Sequence, residues 1–161
     1  MIVATGGRGK YLGLPSETRF RGLGVSACAT CDGFFYRGRD VSVVGGGDTA
    51  CEEALYLAGL CRKVYMIVRR HELRASQAMQ RRVLEAPNIE MLWGCNTSEV
   101  LGDDAGVTGV RIAKDDGTVF DIKVDGFFVA IGRHPVTEIF DGWLETDAQG
   151  YLVTAPGSTA T

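Results

Sequence analysis

Two cysteines separated by two residues, Cys28-Ala29-Thr30-Cys31, followed at once by Asp32-Gly33, carry the clearest chemistry in this 161-residue chain. On one helical turn their i, i+3 spacing would put both sulfurs on the same face, close enough to join as a disulfide. A helix N-terminus at that point would lower a thiol pKa and raise the thiolate fraction. Asp32 fits two roles equally well locally: a proton donor and acceptor for thiolate chemistry, or a turn residue before Gly33. Zinc is the rival use of such a pair, but a structural zinc site needs four ligands and the chain has no second CxxC, so no metal site is expected. Cys51 shares a helical face with Ala54, Leu55 and Ala58 and reads as a small core residue. Cys61 and Cys95 have no evident partner, and His71 and His134 are isolated, as structural or exposed histidines are.

Shortly downstream, Gly45-x-Gly47-x-x-Ala50 follows a short β-branched run and opens a helix, the context that a dinucleotide fingerprint requires. The first glycine permits a tight turn, the second lets backbone N–H groups approach a pyrophosphate, and Ala50 lets helix and strand pack closely. The helix N-terminus supplies free donors and partial positive charge. Asp48 is expected to cap that helix and Thr49 to donate to a phosphate. Where an NAD site usually places an acidic residue, the second strand ends in Arg69-Arg70, with Arg74 about one turn on. These guanidinium groups suit the 2′-phosphate of NADPH. Glu72 would oppose this if it faced the ribose, and Arg81 and Arg82 read as a solvated basic face.

The elements that must position these residues alternate. Val41 to Val44, Val64 to Val68 and Ile89 to Trp93 read as strands, and Asp48 to Leu60 and Ser76 to Leu84 as helices. This predicts an α/β doubly wound parallel sheet. From Thr97 to Val124 the period changes to two, with turns at Gly102-Asp103-Asp104 and Asp115-Asp116-Gly117, which predicts an antiparallel β-meander. Phe127 to Ile131 returns as a buried strand. Met1 to Gly7 reads as a strand entering a glycine turn, and Tyr151 to Thr154 as strand-like. Both ends are abrupt, and the expectation is a piece cut from a larger protein. Net charge of −3 without a basic stripe argues against nucleic acid as a partner. No apolar run of about 18 residues and no signal-peptide pattern is present, so a cytoplasmic location and no membrane partner are expected. Five cysteines without regular spacing fit a reducing compartment.

Taken together, Ala4-Thr5-Gly6, Leu12 to Pro15, Gly24 to Phe35, Val44 to Ala50, Arg69-Arg70 and Phe128-Val129-Ala130-Ile131-Gly132 closely resemble bacterial low-molecular-weight thioredoxin reductases, essentially from end to end. The resemblance implies a Rossmann-like three-layer NAD(P)-binding domain of the two-dinucleotide-binding-domain flavoprotein type. It would cover residues 11–135, with edges of an FAD domain at 1–10 and 136–161. It implies a relay from NADPH through FAD to a Cys28/Cys31 disulfide and on to thioredoxin, in a full-length homodimer. Cys31 would face the flavin, Cys28 would attack thioredoxin, and Asp32 would be the acid/base. Gly45, Gly47, Thr49, Arg69, Arg70, Arg74, Ile131 and Gly132 would bind the cofactor. Two departures stand out: Val68 where the family often has His, and Asp48 where it often has Asn. The FAD domain's own fingerprint is not in the chain, so tight FAD binding and turnover by the chain alone are not expected. A related reading, the flavoprotein subunit of alkyl hydroperoxide reductase, is disfavoured by Ala29-Thr30 and by Arg69-Arg70. A stand-alone NADPH-binding redox module is the alternative from another class.

Overall fold

The computed structural model describes residues 2–161. In chain order its elements are β1 (Gly7–Gly9), α1 (Pro15–Arg19), β2 (Val25–Ser26), α2 (Ala29–Asp32), β3 (Asp40–Val44), α3 (Asp48–Ala58), β4 (Lys63–Val68) and α4 (Gln77–Glu85). They continue with β5 (Ile89–Trp93), β6 (Cys95–Asp103), β7 (Gly106–Lys114), β8 (Val119–Ile122), β9 (Gly126–Val129) and β10 (Arg133–Pro135). Two short 3-10 turns, Gly33–Tyr36 and Glu138–Phe140, complete the set. The chain divides into two compact units, Tyr11–Ile131 and the pair of end segments Met1–Lys10 and Gly132–Thr161.

The larger unit is built on a five-stranded sheet in the order β2-β9-β3-β4-β5, its neighbours all parallel. Side chains alternate across it, as the two-residue period of a strand demands. Val41, Val43, Val64, Met66, Val68 and Phe128 enter a core with α3 and α4, while Val44, Ile67, Phe127 and Val129 enter a second core. That second core is closed by Val100, Val110 and Ile112 of the antiparallel sheet β6-β7-β8. The result is three layers: helices, parallel sheet and meander. Burial on both faces explains why these strands read as continuous β-branched and aromatic runs. Phe127 and Phe128 are fully buried on opposite faces, each contributing about 1.5–3 kcal/mol.

The smaller unit holds an antiparallel ladder in which Gly7 pairs with Pro135 and Gly9 with Arg133. Thr137 Oγ1 donates to the Gly150 carbonyl at 2.7 Å.

The expected N-terminal strand over Met1 to Gly7 is displaced. Met1 lies outside the described residues, residues 2–6 are not in a strand, and the ladder starts at Gly7. Apolar β-branched residues become a strand only where a neighbour pairs with them, and here the partner of β10 is Gly7–Gly9. For the same reason Tyr151 to Thr154 reduces to one bridge, Thr146 with Leu152. The last buried strand ends at Val129, short of the expected Ile131, although Ala130 still donates its N–H to the Val44 carbonyl.

Several carboxylates are tied to donors and held below their ordinary range: Asp40 by Arg62, Asp48 by Ser76, Asp116 by Thr118 and Asp121 by Arg111. A group with a depressed folded pKa stabilises the fold fully above its unfolded value, about 4, and that contribution is lost as pH falls through the folded value. Urea unfolding across a pH series should show stability dropping below about pH 4, with a smaller drop in Asp40→Asn. Stability that rises on acidification would contradict this.

Candidate redox and nucleotide site

The CxxC pair sits where β2 hands over to a single helical turn. Cys28 is extended (φ −153°, ψ 98°) and precedes α2. Its N–H donates to Ser26 Oγ at 3.1 Å, and its carbonyl accepts the amides of Cys31 and Asp32 at 3.2 Å each. This turn brings the two sulfurs together, and Cys28 and Cys31 are joined as a disulfide. Ala29, fully buried, anchors the turn in the helix-side core, while Cys31 is exposed and Cys28 half-buried. Gly33 is needed behind it, since a side chain there would meet Leu57 Cδ2 at 2.9 Å. The CxxC turn and α3 therefore share one packed contact.

Asp32 is half-buried and lines a cleft of about 450 Å³ together with Ser26, Phe35, Tyr36, Arg39 and Asp125. Sequence reasoning did not single out Tyr36. Its ring packs edge-on against Phe128 (centroids 5.5 Å apart) and leaves no room for a side chain at Gly126. Burial first, and then the nearby Asp32 carboxylate, push the Tyr36 hydroxyl above its ordinary pKa, so it stays protonated and able to donate. Only its place in the run after the CxxC could have pointed to it. Phe34 and Phe35 beside the dithiol are 64% and 73% exposed, an apolar surface at the mouth of the site.

The glycine turn connects β3 to α3. Gly45 has φ 147°, and a side chain there would fall 2.4 Å from the Ala130 carbonyl oxygen and 2.8 Å from Ala50 Cβ. Gly47 has open space around its Cα, with nothing within 4 Å of an added Cβ. The first glycine is thus required by the protein's own packing, and the second leaves room for something else. Thr49 is exposed on the first turn of α3, and Ala50 is fully buried beneath it. Asp48 departs from the expected cap. Gly47 occupies the N-cap position, and Asp48 Oδ1 instead accepts the Ser76 N–H and hydroxyl at 2.9 and 2.8 Å. Those bonds hold its carboxylate low and commit it to the start of α4.

Strands β3 and β4 are paired with Val44 beside Ile67, so Gly45 and Arg69-Arg70 leave the sheet from adjacent strand ends. The amide of Arg74 donates to the Gly46 carbonyl at 2.7 Å, bringing that residue to the loop as well. Arg69, Arg70 and Arg74 are exposed, and among the described residues none is in an ion pair, whereas Arg62, Arg81 and Arg111 are. Glu72 is exposed. Ile131, 37% exposed, follows Ala130 at the glycine turn. Gly132 (φ 114°) belongs to the smaller unit.

The remaining cysteines are buried and free. Burial pushes the thiols of Cys51 and Cys61 up to about 11, which keeps them protonated and unreactive. His71 is exposed 3.4 Å from Asp115, and His134 is exposed 3.7 Å from Glu138. Among the described residues, no group of three or more His, Cys, Asp or Glu could hold a metal, and no helix is long and apolar enough to cross a membrane.

Comparison with known proteins agrees with this arrangement. The chain is 53% identical to a glucosaminate ammonia-lyase of Pseudomonas fluorescens and 50% identical to a thioredoxin reductase of Coxiella burnetii, each over 98% of this chain. It spans about half the length of these curated relatives, 50% in both cases. The crystal structure of Lactococcus lactis thioredoxin reductase superposes with a TM-score of 0.87 at 35% identity, covering 93% of this chain and 50% of that one. Residues 1–160 match the family described as pyridine nucleotide-disulphide oxidoreductase. With a match over that range, and with a glycine turn and a Cys28–Cys31 disulfide packed on one α/β core, the chain belongs to this family.

Proposed function

We propose that the chain is the NADPH-binding and dithiol-bearing part of a thioredoxin-disulfide reductase. The observation that carries this reading is the Cys28–Cys31 disulfide, held on the same packed core as a glycine turn flanked by unpaired arginines. The NADPH-binding domain is assigned to residues 11–135, and residues 1–10 and 136–161 to an FAD domain of the whole protein. The compact unit Tyr11–Ile131, which contains both the dithiol and the glycine turn, supports the first of these boundaries, while residues 132–135 group with the end segments.

In this reading the loop amides and the α3 N-terminus receive the pyrophosphate above Gly45 and Gly47, with Thr49 as a further donor. Arg69, Arg70 and Arg74 receive the 2′-phosphate, and Ile131 and Gly132 lie along the nicotinamide side. FAD, when bound by the whole protein, supplies the two-electron step between nicotinamide and disulfide. Cys31 is the sulfur facing that electron source and Cys28 the one that exchanges with thioredoxin. Asp32, at the cleft beside Tyr36, holds or releases the proton that dithiol chemistry requires. The exposed Phe34 and Phe35 give a protein partner an apolar surface next to the disulfide. The whole protein is a homodimer working in the cytoplasm, where buried free thiols such as Cys51, Cys61 and Cys95 persist. The Cys28–Cys31 disulfide beside the glycine turn favours the redox reading over the ammonia-lyase activity named for the Pseudomonas relative.

Isothermal titration should show that NADPH binds more tightly than NADH, and that Arg69→Ala with Arg70→Ala removes the preference, a loss of roughly tenfold or more per charged contact. Equal affinities in the wild-type chain would sink the arginine assignment. The two glycines should separate. Gly45→Ala, forced against Ala130 at a positive φ, should cost about 2–4 kcal/mol of stability. Gly47→Ala should leave denaturant unfolding within about 1 kcal/mol of wild type while weakening NADPH binding. Undiminished NADPH affinity in Gly47→Ala would place the pyrophosphate elsewhere.

A further inference from the structure

The two sulfurs of the disulfide are not equivalent. Thr30 Oγ1 lies 3.5 Å from Cys28 Sγ, and because a disulfide sulfur carries no hydrogen, the hydroxyl is the donor. Among the described residues no hydrogen bond reaches Cys31 Sγ, whose residue is the more exposed of the two. The contact is held from below. Cys28 is pinned by its N–H to Ser26 Oγ and by its carbonyl to the Cys31 and Asp32 amides, so its sulfur faces Thr30 across a fixed turn. Thr30 itself is exposed, which leaves its hydroxyl with no core-packing role.

We propose that Thr30 is a catalytic residue of the dithiol, its hydroxyl donating to Cys28 Sγ and so directing the negative charge to Cys28 when the disulfide opens. This rests on the redox reading of the CxxC and adds an asymmetry to it. When the pair is reduced, an external thiolate attacks the sulfur of the exposed Cys31, the cysteine assigned above to the electron source. A bond forms between the incoming sulfur and Cys31 Sγ, the Cys28–Cys31 bond breaks, and its electron pair leaves on Cys28 Sγ as thiolate, which accepts the Thr30 hydrogen bond. A second external thiolate attacks the incoming sulfur of that mixed disulfide and frees Cys31 as thiolate. The external thiols end as a disulfide, and Cys28 and Cys31 as a reduced pair. Toward a disulfide partner, the same hydrogen bond holds Cys28 as the attacking thiolate: a bond forms between Cys28 Sγ and one partner sulfur, the partner disulfide breaks with its electron pair on the other sulfur, and the Cys31 thiolate then attacks Cys28 Sγ, re-forming the pair and releasing the second partner thiolate. The charged and titratable groups on the elements around Cys28 are Asp32 and Tyr36 on its own run, and Asp48, Cys51, Glu52, Glu53 and Tyr56 on α3. Substitution at Thr30 leaves all of them in place.

The test uses this chain in a Cys31→Ser background, so that Cys28 is the reactive thiol, and follows iodoacetamide alkylation of Cys28 against pH. Cys51 and Cys61, at about 11, stay silent over the range needed. Thr30→Val should raise the Cys28 thiol pKa by about one unit, which is about tenfold less thiolate at a pH below it. Thr30→Ser, which keeps the hydroxyl, should stay near the starting value. An unchanged profile in Thr30→Val, or an equal shift in both variants, overturns the proposal. Equilibration of the chain with its native cysteines in glutathione buffers separates the two levels. A pair that never cycles removes the redox reading itself, whereas a pair that cycles with Thr30→Val unshifted removes only the role of Thr30.

Discussion

Small side chains beneath α3 set the distances on which the rest of the site depends. Ala29, Ala50 and Ala54 are fully buried in one cluster, and Gly33 and Gly45 stand where any side chain would strike Leu57 or the Ala130 carbonyl. Because of these residues, the CxxC turn lies directly on the helix whose N-terminus forms the glycine loop. Interiors packed at crystal-like density do not tolerate a methylene out of place. The disulfide and the glycine turn are therefore positioned by one packing arrangement.

The polar framework reinforces this. Asp48 joins the first turn of α3 to the start of α4 through Ser76, and the Arg74 amide closes on the Gly46 carbonyl. Together these bonds fix the loop that presents Arg69, Arg70 and Arg74. Elsewhere on the unit Arg62 pairs with Asp40, Arg81 with Glu85, and Arg111 with Glu99 and Asp121, whereas Arg69, Arg70 and Arg74 beside the loop are in no ion pair among the described residues.

Much of the fold was legible because its signals are local. The β-branched run at Val41 to Val44, the glycine turn and the helix after it follow from short-range periodicity and turn chemistry. So do the strand at Ile89 to Trp93 and the meander after Thr97. The misses are long-range. Asp48 has the composition of a cap, but its partner is Ser76, 28 residues away, and no local pattern announces that bond. The strand at Gly7–Gly9 is made by pairing with Arg133–Pro135, against its own weak propensity. Tyr36 joins Asp32 only because the chain folds Phe128 and Gly126 beneath its ring. The CxxC was visible as chemistry from the start, whereas the hydroxyl of Thr30 on one sulfur and the exposure of the other are properties of the folded turn.

The most direct measurement of the central claim is a thiol map of the full-length protein after anaerobic addition of one equivalent of NADPH, by alkylation and mass spectrometry. The account predicts that Cys28 and Cys31 become labelled while Cys51, Cys61 and Cys95 stay protected in the native fold. No new label at Cys28 and Cys31, or reducing equivalents appearing at the buried cysteines instead, would contradict it.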